Sequence, residues 1–411
     1  MINNEVKEKL INNLKRIYPN IKESDILFSF CPYRVCPVGA HIDHQKGIVT
    51  GFAINYGITI AYVPSNSHSF EATSLNFDGL KGNSLLDIPS KQNDWADYLR
   101  GTAKLLHERF GITKGINCLI DGSLPIGGIS SSAAVIISFM NALCKINGIS
   151  LSKEEMIRLS QEVENKYVGV NSGTLDQSCE LLSKKDNLLY LDTKDGSYKL
   201  IPKNIKMKPY KIAIIFSGVK RTLVGSDYNT RVDELKSASY CLKAFSGMKY
   251  GIYKDTVLRD VDRSIYEQYK DKLPENFRKR AEHYYTEMER VSRAVEAWRN
   301  GDLEEFGKVS FESGDSSIIN YEAGSPELKA IHEIMKETKG VYGGRFSGAG
   351  FKGCCLAIIN PDYEDSIKRE ITEKYLSLFP EYKDSFSIYY CDSSDGCEIE
   401  EKKLIKERRC R

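Results

Sequence analysis

The chain has 411 residues, 41% of them apolar, with 58 Lys and Arg against 56 Asp and Glu. That length fills two hydrophobic cores more naturally than one. With charge nearly balanced, no global charge points to nucleic acid or a membrane surface, and apolar runs such as VIISFM are far too short to span a bilayer.

The first twenty residues read as an amphipathic helix carrying Val6, Leu10, Ile11, Leu14 and Ile17 on one side. They lack the apolar middle and small-residue cleavage site of a signal peptide. Eleven cysteines, odd in number and without paired metal spacing, fit buried thiols in a reducing compartment, and a cytoplasmic protein is expected. Strands are expected at Ile26–Phe30, IVTGFAI, GITIAYV and INCLIDG. DWADYLRGTAKLLHERFG is an amphipathic helix ending at Gly111, and KEEMIRLSQEVENKYVG is a second, with Glu164 near its end. NLLYLDTK follows as a strand. A new strand–helix succession begins after Asn204, which divides the chain into lobes 1–204 and 205–411. In it, NFRKRAEHYYTEMERVSRAVEAWRNG is a long charged helix whose Glu282, His283 and Arg290 read as a solvated face. GVYGGRFSGAGFKGCCLAII is a glycine-punctuated turn entering a strand, and the tail EIEEKKLIKERRCR reads as a solvated end or a short basic patch.

Between INCLIDG and the apolar run VIISFMNAL lies SLPIGGISSSAA, with Gly127 and Gly128 followed by Ser130, Ser131, Ser132 and Ala133. Glycines admit a ligand close to the backbone. The free N–H groups at a helix start attract an anion, and serine adds hydroxyls and an oxygen for Mg²⁺. This is the chemistry of a phosphate cradle without the GK[ST] of a Walker loop; a plain Ser N-cap reads equally well. YRVCPVGAHIDHQKG gathers Arg34, His41, Asp43 and His44, which suits a polyhydroxyl ligand or a surface turn with a salt bridge. In VNSGTLDQSCE, Asp176 opens an apolar helix, either as acceptor of a hydroxyl proton or as an N-cap. GRFSGAGFKGC is the fourth element, a cover for phosphates or a β-turn.

Taken together and in this order, RVCPVGAHIDH, PIGGISSSAA, GTLDQ and GRFSGAGFKGCC resemble the GHMP small-molecule kinases, galactokinase branch, over essentially the whole chain. The resemblance implies an α+β fold of two lobes. The N-terminal lobe would be ribosomal S5 domain-2-like and the C-terminal lobe ferredoxin-like, with the active site in the cleft between them. It implies a monomeric enzyme that uses ATP and Mg²⁺ on a sugar and binds neither nucleic acid nor membrane. Carried over by position, Asp176 is the catalytic base or orients the attacking hydroxyl, and Arg34 keeps it ionised. Ser132 and Glu164 match the Mg²⁺ positions. Trp95 and Pro125, with the loop Gly127–Ala133, match the nucleotide site. Arg34, Ala40, His41, Asp43, Asp176 and Tyr228 match the sugar site.

The sugar signature departs from the galactokinase pattern. Ala40 stands where galactokinases have a Glu beside C6 of galactose, and Cys36, Ile42 and His44 replace Asn, Thr and Tyr. A Glu there would repel a substrate carboxylate at C6, since two like charges ~4 Å apart cost about 4 kcal/mol at an effective dielectric of 20. Ala lifts that repulsion, and His41 or His44 would add attraction if protonated. Ala349 and Lys352 replace glycines of the last motif. The variant signature resembles the galacturonokinase branch, which phosphorylates D-galacturonate at the anomeric oxygen. Galactose, arabinose and glucuronate remain as other substrates, and a non-catalytic sugar sensor on the same fold is the competing reading.

Overall fold

A computed structural model describes residues 2–65, 67–219 and 227–398. The solvated-tail reading from residue 399 onward, and the stretch 220–226, lie outside the described residues. In chain order, α1 (Asn4–Ile17) leads into β1 (Leu27–Val35), β2 (Ile48–Pro64), β3 (Ser69–Ser74) and β4 (Lys81–Ser84). Then come α2 (Asp97–Phe110), β5 (Ile116–Gly122), α3 (Ser131–Asn147), α4 (Lys153–Glu162), α5 (Leu175–Leu182), β6 (Asn187–Asp192) and β7 (Tyr198–Pro202). The second half holds β8 (Lys211–Phe216), α6 (Tyr228–Phe245), α7 (Arg263–Tyr269), α8 (Glu275–Asn300), α9 (Leu303–Ile319) and α10 (Pro326–Glu337). It ends with β9 (Val341–Phe346), β10 (Cys354–Ile359), α11 (Glu364–Leu378), β11 (Ser387–Cys391) and β12 (Ser393–Ser394).

The fold is mixed α/β with two sheets. The first runs β4-β3-β5-β2-β6-β7, with β1 and β12 also paired to β2; the second is antiparallel, in the order β11-β8-β10-β9. β2 is the spine of the first sheet. IVTGFAI and GITIAYV, expected as two strands, form this one strand of 17 residues, because Gly57 lets β1 press against it. A Cβ there would lie 2.1 Å from the Cys31 carbonyl oxygen. β1 runs five residues past the expected end at Phe30. Its register slips between Pro32 and Arg34, a bulge that accommodates a proline without a donor. The extension brings Arg34 to the site.

α2 and α3 pack on one another, and α3 on β1 and β2. Leu10 and Leu14 of α1 are buried with Ala61 and Leu119 in a smaller cluster. The second sheet starts at Lys211, and β12 returns to pair with Ala53 and Ile54 of β2. The two halves therefore share a strand ladder. The ten described cysteines are free thiols, all but Cys241 buried. Among the described residues no helix is long and apolar enough to cross a membrane.

Candidate active site

Gly127 (φ 137°) and Gly128 (φ 83°) turn the chain from β5 into α3 in conformations open to glycine. At Gly128 a Cβ would meet the Cys354 sulfur and the Ser347 carbonyl oxygen, both at 2.8 Å, so the loop lies directly against the turn between β9 and β10. Ser130 occupies the N-cap position of α3 but makes no side-chain cap; it sits at φ 64°. Its hydroxyl instead donates to Asp176 Oδ2 at 2.8 Å. The helix start thus keeps the free N–H groups of its first turn, those of Ser131, Ser132 and Ala133. Ala133 itself has no exposed surface, backbone included, so the structure does not bring this expected nucleotide-site residue to the cleft.

Arg34 Nε donates to Asp176 Oδ1 at 2.7 Å, and Nη1 to the Gly128 carbonyl at 3.0 Å. The guanidinium side chain is 4% exposed and the carboxylate 24%. Burial alone would favour a neutral Arg34, but the Asp176 carboxylate outweighs it and holds the charge. Asp176 lies inside the first turn of α5, whose N-cap is Thr174. Neither serine nor aspartate is spent on capping.

Glu164 was expected in a continuous helix. α4 instead ends at Glu162 and Val163–Val168 form a π-turn, a distortion common at functional sites. It directs Glu164 inward, where Oε2 accepts from Ser172 Oγ and Gln177 Nε2, both at 2.8 Å, and Ser132 also hydrogen-bonds the carboxylate. Burial, helped by the Asp176 charge, pushes its pKa up against these donors.

The loop after β1 is held from the other half of the chain. Glu287 on α8 accepts from the Gly39 N–H at 2.6 Å, His283 Nε2 donates to the Ala40 carbonyl at 3.1 Å, and Ser310 on α9 donates to the Pro37 carbonyl at 3.0 Å. This corrects the reading of α8 as solvated along that face: His283 and Glu287 have no exposed surface. Burial would raise the Glu287 pKa, but Arg290, His283 and Arg345 outweigh it and hold it at about 2. The sugar signature therefore rides on a buried ion-pair network that its own sequence does not contain.

Ala40, His41, Asp43 and Tyr228 line one cleft with Arg34, Asp176, Ser130–Ser132 and Glu164, and Ala349 and Lys352 line it as well. His41 stacks on Tyr321 at 4.2 Å, and its Nε2–H donates to the Gly348 carbonyl at 3.0 Å. That leaves Nδ1 as an acceptor, buried and unpartnered. His44 meets the Tyr228 ring edge-on at 5.9 Å. Burial drives the His41 pKa far down and that of His44 to about 3, so both imidazoles are neutral. The attraction expected from a protonated imidazole is absent. Asp43 is pushed up to about 6 by burial and by Asp176, against backbone donors that include Leu175 N–H.

A second cavity of about 460 Å³ meets the cleft at Ser131 and Ser132, a volume suited to a small molecule. Pro125 and Trp95 line it. Phe77, which has no signal in the sequence, lies parallel to Trp95 at 6.0 Å. Trp95 is half-buried and packs against the main hydrophobic core, with its Nε1–H buried and unpartnered.

The pattern of the GHMP kinases N terminal domain matches residues 97–184, and that of the GHMP kinases C terminal domain residues 294–377. The chain is 36% identical over 393 residues to a galacturonokinase of Arabidopsis thaliana, covering 90% of this chain and 92% of the other. A galactokinase of Clostridium perfringens is 34% identical over 378 residues, covering 90% and 94%. The crystal structure of Lactococcus lactis galactokinase complexed with galactose superposes with a TM-score of 0.86 at 26% identity, covering 96% and 99%. The chain belongs to the GHMP kinase family, as a sugar kinase of the galactokinase and galacturonokinase type.

Proposed function

We propose that the protein transfers the γ-phosphoryl group of ATP to O1 of D-galacturonate, giving galacturonate 1-phosphate. The observation that carries this reading is Ala40, buried at the cleft where galactokinases carry a Glu, with its backbone fixed by His283. Because His41 and His44 are neutral, Ala40 acts by removing repulsion rather than by supplying attraction. The galactose reading has its own support in the unpartnered His41 Nδ1, an acceptor suited to a C6 hydroxyl.

In the reaction the O1–H proton passes to Asp176 as O1 bonds to phosphorus and the bond to the β-phosphate oxygen breaks. Arg34 fixes the direction of the Asp176 carboxylate through its Nε–H at 2.7 Å. Asp43, His41 and Tyr228 hold the sugar hydroxyls, the loop Gly127–Ser132 with the start of α3 holds the phosphates, and Trp95 with Phe77 holds the base. Ser132 and Glu164 offer the hard oxygens that suit Mg²⁺, and a dication there offsets the burial of Glu164. When bound, Mg²⁺ neutralises charge on the phosphates. Release of ADP from ATP and Mg²⁺ with a panel of galacturonate, galactose, arabinose and glucuronate tests the reading. Turnover with galacturonate supports it; sugar binding without turnover overturns it in favour of a sensor.

The protonation of Asp43 sets a pH dependence. A protonated carboxyl loses acceptor capacity for sugar hydroxyls, so KM for the sugar is expected to rise as the pH falls below about 6. A flat KM profile down to pH 5 would contradict that role. Stability has the opposite sign: between the ordinary value of 3.8 and about 6 only the folded chain holds this proton. Asp43 therefore subtracts from stability as the pH rises through that window.

A further inference from the structure

With His41 and His44 neutral, neither imidazole supplies a positive charge for a substrate carboxylate. The charged side chains lining the cleft are Arg34, Asp43, Glu164, Asp176 and Lys352. Three are acids, and the Arg34 guanidinium is already engaged by Asp176 and the Gly128 carbonyl. A galacturonate carboxylate would enter a cleft lined by more acids than cations, and a charge taken out of water without a partner is costly. Among the described residues, Lys352 is the only other cation lining this cleft.

The turn 347–353 between β9 and β10 carries Lys352 and is anchored along its length. The Ser347 N–H donates to the Cys354 carbonyl at 3.0 Å, the Gly324 N–H to the Gly350 carbonyl at 2.8 Å, and the Ser217 N–H to the Gly353 carbonyl at 2.9 Å. The Gly348 carbonyl accepts from His41 Nε2–H, and His41 follows Ala40 in the chain, so this turn is joined to the part of the cleft where Ala40 stands. Gly353 lines the cavity of Trp95 and Phe77, whereas Lys352, one residue earlier, lines the cleft and not that cavity. Gly348, Gly350 and Gly353 carry the positive φ values of the turn (69°, 77° and 106°) and Lys352 does not, so the backbone demands no particular side chain at 352.

We propose that Lys352 is a specificity-determining residue whose ammonium pairs with the C6 carboxylate of galacturonate. Ala40 removes the repulsion at C6, and Lys352 supplies the attraction that the neutral imidazoles do not. A lysine on an anchored turn suits this task, because its flexible stem carries a compact charge with three donors to a carboxylate.

The inference rests on galacturonate as the substrate, and the experiment separates the two. Dissociation constants for D-galacturonate and D-galactose are measured by calorimetry, together with kcat and KM, for wild type, Lys352→Met and Lys352→Arg. Lys352→Met keeps the length and loses the charge. It is expected to weaken galacturonate binding and kcat/KM roughly tenfold, the lower end for a hydrogen bond to a charged group because the lysine is exposed. Galactose is expected to lose less than about threefold, which also controls for folding, and KM for ATP is expected to hold. Lys352→Arg, which keeps the charge, is expected to recover most of the galacturonate loss. Unchanged galacturonate binding in Lys352→Met would overturn the proposal. Equal losses for the two sugars would also overturn it, and a raised KM for ATP beside them would assign Lys352 to the phosphates. The dissociation constants are read whether or not galacturonate is turned over. Turnover of galactose alone, with galacturonate binding still weakened in Lys352→Met, would sink the substrate reading and leave the Lys352 pairing standing. No galacturonate binding by wild type would overturn both.

Discussion

Replacing Asp176 by Ala is expected to lower kcat by about 10²–10⁴-fold, the usual worth of a positioned proton acceptor, and to leave KM for ATP little changed. The carboxylate holds two donors at once, Arg34 at 2.7 Å and Ser130 at 2.8 Å, and both charge and direction are lost in the variant. Removing one partner of a buried pair costs about 3–5 kcal/mol. Asp176 is 24% exposed, so water reaches Arg34 in part and the stability loss falls toward or below the lower figure. The variant is therefore expected to fold, with a lower Tm. Asp176→Asn separates two roles, because the amide preserves shape without accepting a proton. Activity within about tenfold of wild type in the Asn variant would leave Asp176 orienting the hydroxyl, consistent with a loose transition state. Near wild-type turnover in Asp176→Ala would remove it from the reaction altogether.

Ala40→Glu is expected to reverse the substrate preference. The Ala40 carbonyl is fixed by His283 and the preceding Gly39 N–H by Glu287, so the backbone holds its place and the new side chain extends into the cleft. Its charge would meet the C6 carboxylate of galacturonate at a cost of about 4 kcal/mol, which is roughly a 10³-fold loss in kcat/KM. Galactose carries no charge at C6 and is expected to lose less than tenfold or to gain. Equal losses for the two sugars would show that the position acts by volume alone.

Much of the site could be read from local sequence because its parts are contiguous. Gly127–Ser132 form one loop, and Ala40–His44 one turn. What sequence could not show is how these parts are held. Arg34 and Asp176 are 142 positions apart, and only the extension of β1 past its bulge brings them together. The alternative of Ser130 or Asp176 as an N-cap could not be rejected from residue type, since both stand at helix starts; the direction of each side chain decides it. Glu164 sits in a π-turn because the chain inserts a residue into a helix, which leaves apolar periodicity almost unchanged. His283 and Glu287 show the largest gap. A charged helix is normally solvated, but here one face is sealed against the sugar loop and neutralised by Arg345 and Arg290. The single signal in sequence is that these charges share a helical stripe with Ala281, Tyr284 and Val291, all buried.

The measurement that tests the account most directly is kcat/KM for D-galacturonate and D-galactose side by side, by coupled ADP release with ATP and Mg²⁺. The account predicts a clear preference for galacturonate, because Ala40 lifts a repulsion that galactose never feels. A preference for galactose would contradict it: the kinase fold and the roles of Arg34 and Asp176 would stand, and the neutral His41 acceptor, not Ala40, would define the C6 end of the site.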